Sequence, residues 1–224
     1  MDWLIIVAGG SGKRMGNHLP KQFMEIGGKP ILMHTLERLH SSQPHARMIL
    51  VLPQQYYSLW QGLCKEHSFK LTLHIVFGGE TRFHSVKNGL SVIPEGEDGV
   101  VGVHDGVRPF VSAEVIADCM AAARKTGAAL PAVKPVESVR IQQDGDVTVP
   151  FNRDKCLLVQ TPQCFSVRLL RCAYQQDYIP DFTDDASVVE ALGHQVTIVD
   201  GNRENIKLTN PSDLLWADVL LKNS

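Results

Sequence analysis

Apolar runs alternate with helical patterns along most of the 224-residue chain. Residues 3–8 form an unbroken apolar stretch ending at glycine, as a strand buried on both faces requires. Over residues 30–40, Ile31, Leu32, Thr35, Leu36 and Leu39 recur at helical spacing, and Pro30 suits a first helical turn. Residues 48–52 then predict a strand, 54–66 a helix, 71–77 a strand and 81–92 a helix. Residues 99–103 predict another buried strand. A helix follows at Ser112, whose hydroxyl can cap it, with Glu114 in the first turn. Residues 128–133 predict one more strand. This order implies an α/β fold with a mainly parallel sheet and helices on both faces.

The pattern breaks over residues 136–150. There Val139 and Ile141, then Val147 and Val149, alternate with polar residues around Asp144-Gly145, which predicts a β-hairpin. A lone hairpin is marginal in water, so this arm packs either on its own domain or on a second subunit. Beyond it, residues 155–160 predict a strand, 166–176 and 184–192 helices, and 195–199 a strand. A last helix opens at Pro211-Ser212-Asp213. The chain reads as one domain, 1–224, carrying the hairpin as an arm.

Hydrophobic and charged fractions of 44% and 21% are ordinary for a globular protein, so disorder is not expected. A net charge of -2 with scattered basic residues argues against a nucleic-acid strand as partner, though not against a single nucleotide. The five cysteines, Cys64, Cys119, Cys156, Cys164 and Cys172, form no C-x-x-C pair. Reduced, mostly buried thiols in a cytoplasmic protein are expected. The apolar run near the N-terminus lacks a basic flank and is too short for a secretion signal. No stretch approaches the roughly twenty apolar residues of a membrane span, so no membrane partner is expected.

Chemistry concentrates where the first strand ends, in Ala8-Gly9-Gly10-Ser11-Gly12-Lys13-Arg14-Met15-Gly16. Glycines there let backbone N–H groups approach phosphates, and ligands of such sheets gather at the carboxyl ends of the strands. The spacing excludes a dinucleotide fingerprint, because Met15 stands where the last glycine belongs. It excludes a P-loop as well, because Val7 replaces that motif's first glycine and Arg14 its Ser or Thr. Arg14 and, in Pro20-Lys21-Gln22-Phe23, Lys21 supply the cations that nucleotidyl transfer needs around an in-line phosphorus. Asp105, after the strand at 99–103, suits Mg²⁺ or a ribose hydroxyl, with a loop-capping role as the alternative. His104 has no second His or Cys at ligand spacing and is expected to be packed or hydrogen-bonded. No serine or cysteine nucleophile with a His–acid partnership is evident.

With four further segments the loop makes a pattern. These are Gly78-Gly79-Glu80-Thr81-Arg82 with Ser85; His104-Asp105-Gly106-Val107-Arg108-Pro109; Gln160-Thr161-Pro162-Gln163; and Asn205-Ile206-Lys207-Leu208-Thr209. Together they resemble the nucleotidyltransferases that activate sugars and polyols, and among them the 2-C-methyl-D-erythritol 4-phosphate cytidylyltransferase family of non-mevalonate isoprenoid synthesis. The resemblance implies a Rossmann-like three-layer nucleotidyltransferase fold with a protruding hairpin arm at about 136–150, used for homodimerisation. It also implies CMP transfer from CTP to the polyol phosphate, with pyrophosphate released and Mg²⁺ as the cofactor. Ala8, Gly9, Gly10 and Gly12 would wrap the triphosphate, and Arg14, Lys21 and Lys207 would stabilise the α-phosphate. Gly79, Glu80 and Ser85 would hold cytosine, and Asp105 with Gly106 the rest of the nucleotide, Asp105 also meeting the metal. Arg108, Glu137, Ser138, Arg153, Thr161, Thr183 and Lys207 would meet the polyol phosphate. Glu80 stands where the family commonly has aspartate, and Glu137-Ser138 where it has an Asp-Thr pair. The implied step is a direct displacement in which a hydroxyl of the polyol phosphate attacks the α-phosphorus. Rival readings are a ribitol-phosphate or other polyol-phosphate cytidylyltransferase, a uridylyl- or guanylyltransferase, and a non-catalytic nucleotide-binding module.

Overall fold

The computed structural model describes residues 1–9 and 19–222. Strand β1 (Trp3–Val7) is the axis of the molecule. Alternate side chains of a strand point to opposite faces, and here both faces are covered. Trp3 and Ile5 enter one core, while Leu4 and Ile6 enter the other. That is why the run is apolar throughout rather than alternating. A short hairpin of β2 (Glu25–Ile26) and β3 (Lys29–Pro30) leads into helix α1 (Ile31–Ser42), with Pro30 just before its first turn. Strand β4 (Arg47–Leu52), helix α2 (Tyr57–Glu66), strand β5 (His74–Phe77) and helix α3 (Arg82–Leu90) follow. The next strand, β6 (Val100–Asp105), is buried along its whole length.

Helix α4 (Ala113–Thr126) shows how local chemistry sets its ends. The Ser112 hydroxyl accepts from the Val115 N–H at 3.1 Å, and Glu114 lies in the first turn. Arg124 and Lys125 occupy the last turn, and Gly127 ends the helix at φ 89°, a left-handed position that suits glycine. Strand β7 (Ala128–Val133) comes next, then the hairpin of β8 (Val139–Gln142) and β9 (Thr148–Phe151). The chain continues through β10 (Leu158–Val159), β11 (Gln163–Ser166), α5 (Val167–Ala173), α6 (Asp185–Glu190), β12 (Thr197–Asp200) and α7 (Pro211–Lys222).

The main sheet has the order β10-β7-β11-β6-β1-β4-β5, with β12 on the far edge of β7. β1, β4, β5, β6, β7 and β12 run one way, while β10 and β11 run against them. The expected mainly parallel sheet is therefore present, interrupted near one edge. Helices α1, α2 and α4 cover one face, and α3, α5 and α6 the other, giving three layers. The β8–β9 hairpin is a separate two-stranded sheet, as the Asp144-Gly145 turn predicts. No helix among the described residues is long and apolar enough to cross a membrane.

Three expectations need correction. The strand placed at 155–160 shrinks to Leu158–Val159, because Arg153–Lys155 forms a 3-10 turn instead. β11 lies centrally between β6 and β7 and was missed, its first residue being a polar but buried Gln163. Only Cys119 and Cys164 are buried; Cys64 and Cys156 are half-buried and Cys172 is exposed, all as free thiols.

Candidate active site

A cavity of about 300 Å³ opens at the carboxyl ends of β1, β4, β5 and β6, where Val7, Pro53, Gly78 and Asp105 line it. Ala8 and Gly9, directly after β1, form part of its wall, and Lys21 joins from the 3-10 turn at Lys21–Phe23. That turn is anchored from beneath: the Gln22 amide donates to the Ala8 carbonyl at 2.7 Å, and Phe23 is fully buried. The anchor leaves the preceding residue, Lys21, at the cavity wall.

The opposite wall is the turn between β5 and α3. The Ser85 hydroxyl accepts from the Gly79 N–H at 3.1 Å and donates to the Thr81 carbonyl at 3.0 Å, tying the turn to the helix. Gly79 is required there, since an added Cβ would lie 2.5 Å from that of His84. Gly79, Glu80 and Ser85 all line the cavity. Gly106 lies under the floor rather than in the wall. A Cβ there would come within 3.0 Å of Leu32 and 3.3 Å of Ala8, so glycine keeps the β6 turn packed against β1.

Asp105 is the electrostatic centre. Its Oδ2 accepts from Arg108 Nε at 3.2 Å and pairs with Lys207 Nζ at 3.0 Å. Burial would raise the carboxyl, but Lys207, Arg82 and Arg108 outweigh it and hold it well below the usual carboxylate range. Asp105 is thus ionised at neutral pH. Behind it, His104 Nε2 donates to the Arg108 carbonyl at 3.1 Å, which leaves Nδ1 to accept from the Thr161 hydroxyl at 3.0 Å. The same hydroxyl oxygen accepts the Asp105 N–H at 3.1 Å. Burial pushes the imidazole down to about 4, so the ring is neutral, consistent with this hydrogen-bonding pattern. His104 is therefore packed and hydrogen-bonded, as expected from its sequence context.

Arg82 also lines the cavity and was not among the residues proposed from sequence. Its guanidinium meets the buried Asp185 at 2.5 Å, and Asp185 also accepts the Tyr174 hydroxyl at 2.6 Å. The signal was faint: Arg82 closes the Gly78–Arg82 segment, but its partner is 103 positions away.

A second cavity of about 340 Å³ adjoins the first and shares Lys207 with it. Arg108, Lys134, Arg203 and Lys207 supply four cations to its wall, against Glu137. Such a wall suits a phosphate-bearing ligand.

The family model of 2-C-methyl-D-erythritol 4-phosphate cytidylyltransferase, IspD, matches residues 3–223. This chain belongs to that family. A 2-C-methyl-D-erythritol 4-phosphate cytidylyltransferase from Phocaeicola vulgatus is 56% identical over 97% of this chain and 98% of its own length. The one from Porphyromonas gingivalis is 48% identical over 98% and 97%. Among solved structures, a 4-diphosphocytidyl-2C-methyl-D-erythritol synthase from Anaerococcus prevotii superposes with a TM-score of 0.83. It is 29% identical and is matched over 99% of this chain and 96% of that one.

In this cytidylyltransferase the residues proposed from sequence separate into groups. Ala8, Gly9, Lys21, Gly79, Glu80, Ser85, Asp105 and Lys207 line the first cavity, and Arg108, Glu137 and Lys207 the second. Gly10, Gly12 and Arg14 lie outside the described residues. Thr161 is buried behind Asp105 and lines neither cavity, its hydroxyl being engaged as above. Ser138 and Thr183 are exposed and line neither cavity. Arg153 is exposed at the base of the hairpin, where its guanidinium donates to the Val136 carbonyl at 2.5 Å.

Proposed function

We propose that this cytidylyltransferase moves CMP from CTP to 2-C-methyl-D-erythritol 4-phosphate in its first cavity, releasing pyrophosphate. The observation that carries this is the convergence of Asp105, Lys207 and Lys21 on the carboxyl ends of the strands, with a cation-walled cavity adjoining. Cytosine is assigned to the Gly79–Ser85 wall and the triphosphate to the turn after β1, with Gly10, Gly12 and Arg14 completing it. The polyol phosphate takes the second cavity. Lys207, common to both, then faces the two reacting phosphates.

A 4-diphosphocytidyl product requires that the attacking atom be an oxygen of the polyol's phosphate. The hydroxyl attack expected from sequence would give a phosphodiester instead. The chemistry is an in-line displacement: a new P–O bond forms at the α-phosphorus as the bond to pyrophosphate breaks. The protein's share is positioning and charge stabilisation. Arg108 and the other cations of the second cavity offset repulsion between the two phosphates, and Lys21 and Lys207 meet charge that grows on the equatorial oxygens.

Among the described residues, Asp105 is the one that would hold Mg²⁺. Among the described residues no cluster of three or more His, Cys, Asp or Glu could cage a metal. Asp105 is an ionised carboxylate at the cavity wall, and one carboxylate plus substrate phosphate oxygens is a normal Mg²⁺ environment. When bound there, the ion neutralises charge on the triphosphate.

The hairpin arm is assigned to a second subunit. It forms its own small sheet and leaves Val136, Ile141, Val147 and Phe151 exposed, beside exposed Leu157, Leu158 and Val159. Glu137, Ser138 and Arg153 lie at its base. A solution mass near twice 24.8 kDa is expected, and sedimentation showing only the single-chain mass would refute this. Pyrophosphate release that requires both CTP and methylerythritol phosphate tests the function.

A further inference from the structure

The segment from Gly201 to Leu208 carries Lys207, and it is bolted down at four places. The Gly201 N–H donates to the Ala132 carbonyl at 2.9 Å. The Asn202 amide donates to the Phe110 carbonyl at 2.9 Å and accepts the Ser112 N–H at 3.1 Å. The Leu208 N–H donates to the Val107 carbonyl at 3.0 Å, and its side chain is fully buried.

The fourth bolt is Asn205, which is fully buried. Its amide nitrogen donates to the Thr161 carbonyl at 2.9 Å and to Gln160 Oε1 at 3.3 Å. Gln160 Nε2 returns to the Asn202 carbonyl at 2.8 Å. The Asn205 backbone carbonyl accepts Arg108 Nη1 at 2.7 Å. Gly201 makes room for this clasp, since a Cβ there would lie 2.4 Å from Gln160 Oε1.

These contacts reach the groups that hold Asp105. Thr161 takes the Asp105 N–H through its hydroxyl, and Arg108 takes Oδ2. Lys207, two residues beyond Asn205, takes the same oxygen. Asn205 Oδ1, meanwhile, is buried without a partner among the described residues. A buried carbonyl oxygen left so is unfavourable, yet the carboxamide's N–H bonds to the Thr161 carbonyl and Gln160 Oε1 fix the geometry of the segment here.

We infer that Asn205, clasped by Gln160, is a positioning residue: it sets Lys207 and Arg108 over Asp105, and so aligns the nucleotide cavity with the polyol-phosphate cavity. This rests on the assignment of Lys207 to the reacting phosphates. The test is a double-mutant cycle of Asn205→Ala and Lys207→Ala, reading kcat and KM for each substrate together with the melting temperature. Asn205→Ala should lower kcat on the order of a hundredfold, as a misplaced catalytic group does. KM for CTP should stay within about threefold, because binding common to ground and transition states survives. In the Lys207→Ala background, the same substitution should cost less than about threefold more, because residues acting through one another are not additive. A full loss repeated in that background, or a lowered melting temperature with near-normal kcat, would overturn the inference. If Asn205→Ala does not fold, Gln160→Ala carries the same cycle. A wild-type enzyme that releases no pyrophosphate would instead refute the functional assignment, which separates the two failures.

Discussion

Lys21→Ala should lower kcat by about 10²–10³-fold while KM for CTP changes far less, the signature of charge stabilisation lost mainly in the transition state. The expectation follows from how the lysine is delivered. Gln22 and Phe23 pin its turn to the end of β1, so the lysine backbone is held at the cavity wall in advance. A preorganised cation costs no reorganisation when negative charge moves onto the equatorial oxygens of the α-phosphate. The substitution leaves the buried anchor untouched, so the melting temperature should hold. Steady-state kinetics with both substrates varied decide the matter. Near-normal turnover, or a loss confined to KM for CTP, would remove Lys21 from the catalytic role.

The largest stability effect should come from Asp185→Ala. Asp185 is fully buried, with Arg82 at 2.5 Å on one oxygen and the Tyr174 hydroxyl at 2.6 Å on the other. Burial disfavours the charged guanidinium, but Asp185 outweighs it and keeps Arg82 protonated. Removing the carboxylate leaves a partly buried cation and a buried phenol without their partner. Breaking such a pair costs about 3–5 kcal/mol, or roughly 6–20 °C in Tm for a chain of this size. Thermal unfolding followed by circular dichroism measures it. A Tm within about 2 °C of wild type would mean that Arg82 finds full compensation in solvent. Because Arg82 lines the first cavity, to which CTP is assigned by proposal, the same variant should also bind CTP more weakly.

What was legible in the sequence follows from where each signal is stored. β1 and the stretch of β6 up to Val103 were readable because a segment buried on both faces is apolar throughout, and no distant residue is needed to see it. The start of α4 was readable because Ser112 and Glu114 act within a turn of themselves. β11 was not. Gln163 is polar yet buried, satisfied by Asp184 at 2.7 Å and by the Ala186 N–H at 2.9 Å, both some twenty residues on. Gln160 and Thr161 are buried in the same way, through Asn205, Asp105 and His104. Polar residues whose partners are remote look like loop, so the pattern passed over this strand.

The site divides along the same line. Asp105, Lys21 and the glycines were visible as motif letters at the ends of strands. Arg82, Lys134 and Arg203 were not proposed, because their place in a cavity wall depends on which strand ends the fold brings together. Thr161 shows the opposite case. The resemblance marks it as a substrate contact, whereas its hydroxyl here is engaged by Asp105 and His104, which points to support of the carboxylate.

The decisive measurement is pyrophosphate release by the purified chain with Mg²⁺, one nucleoside triphosphate at a time and one polyol phosphate at a time. Rapid release is expected with CTP and 2-C-methyl-D-erythritol 4-phosphate together, and little with UTP, GTP or ribitol phosphate in their place. The recovered product should carry its CMP through a diphosphate linkage. CTP that binds without release, or release that proceeds equally well when methylerythritol phosphate is replaced by another polyol phosphate, would contradict it.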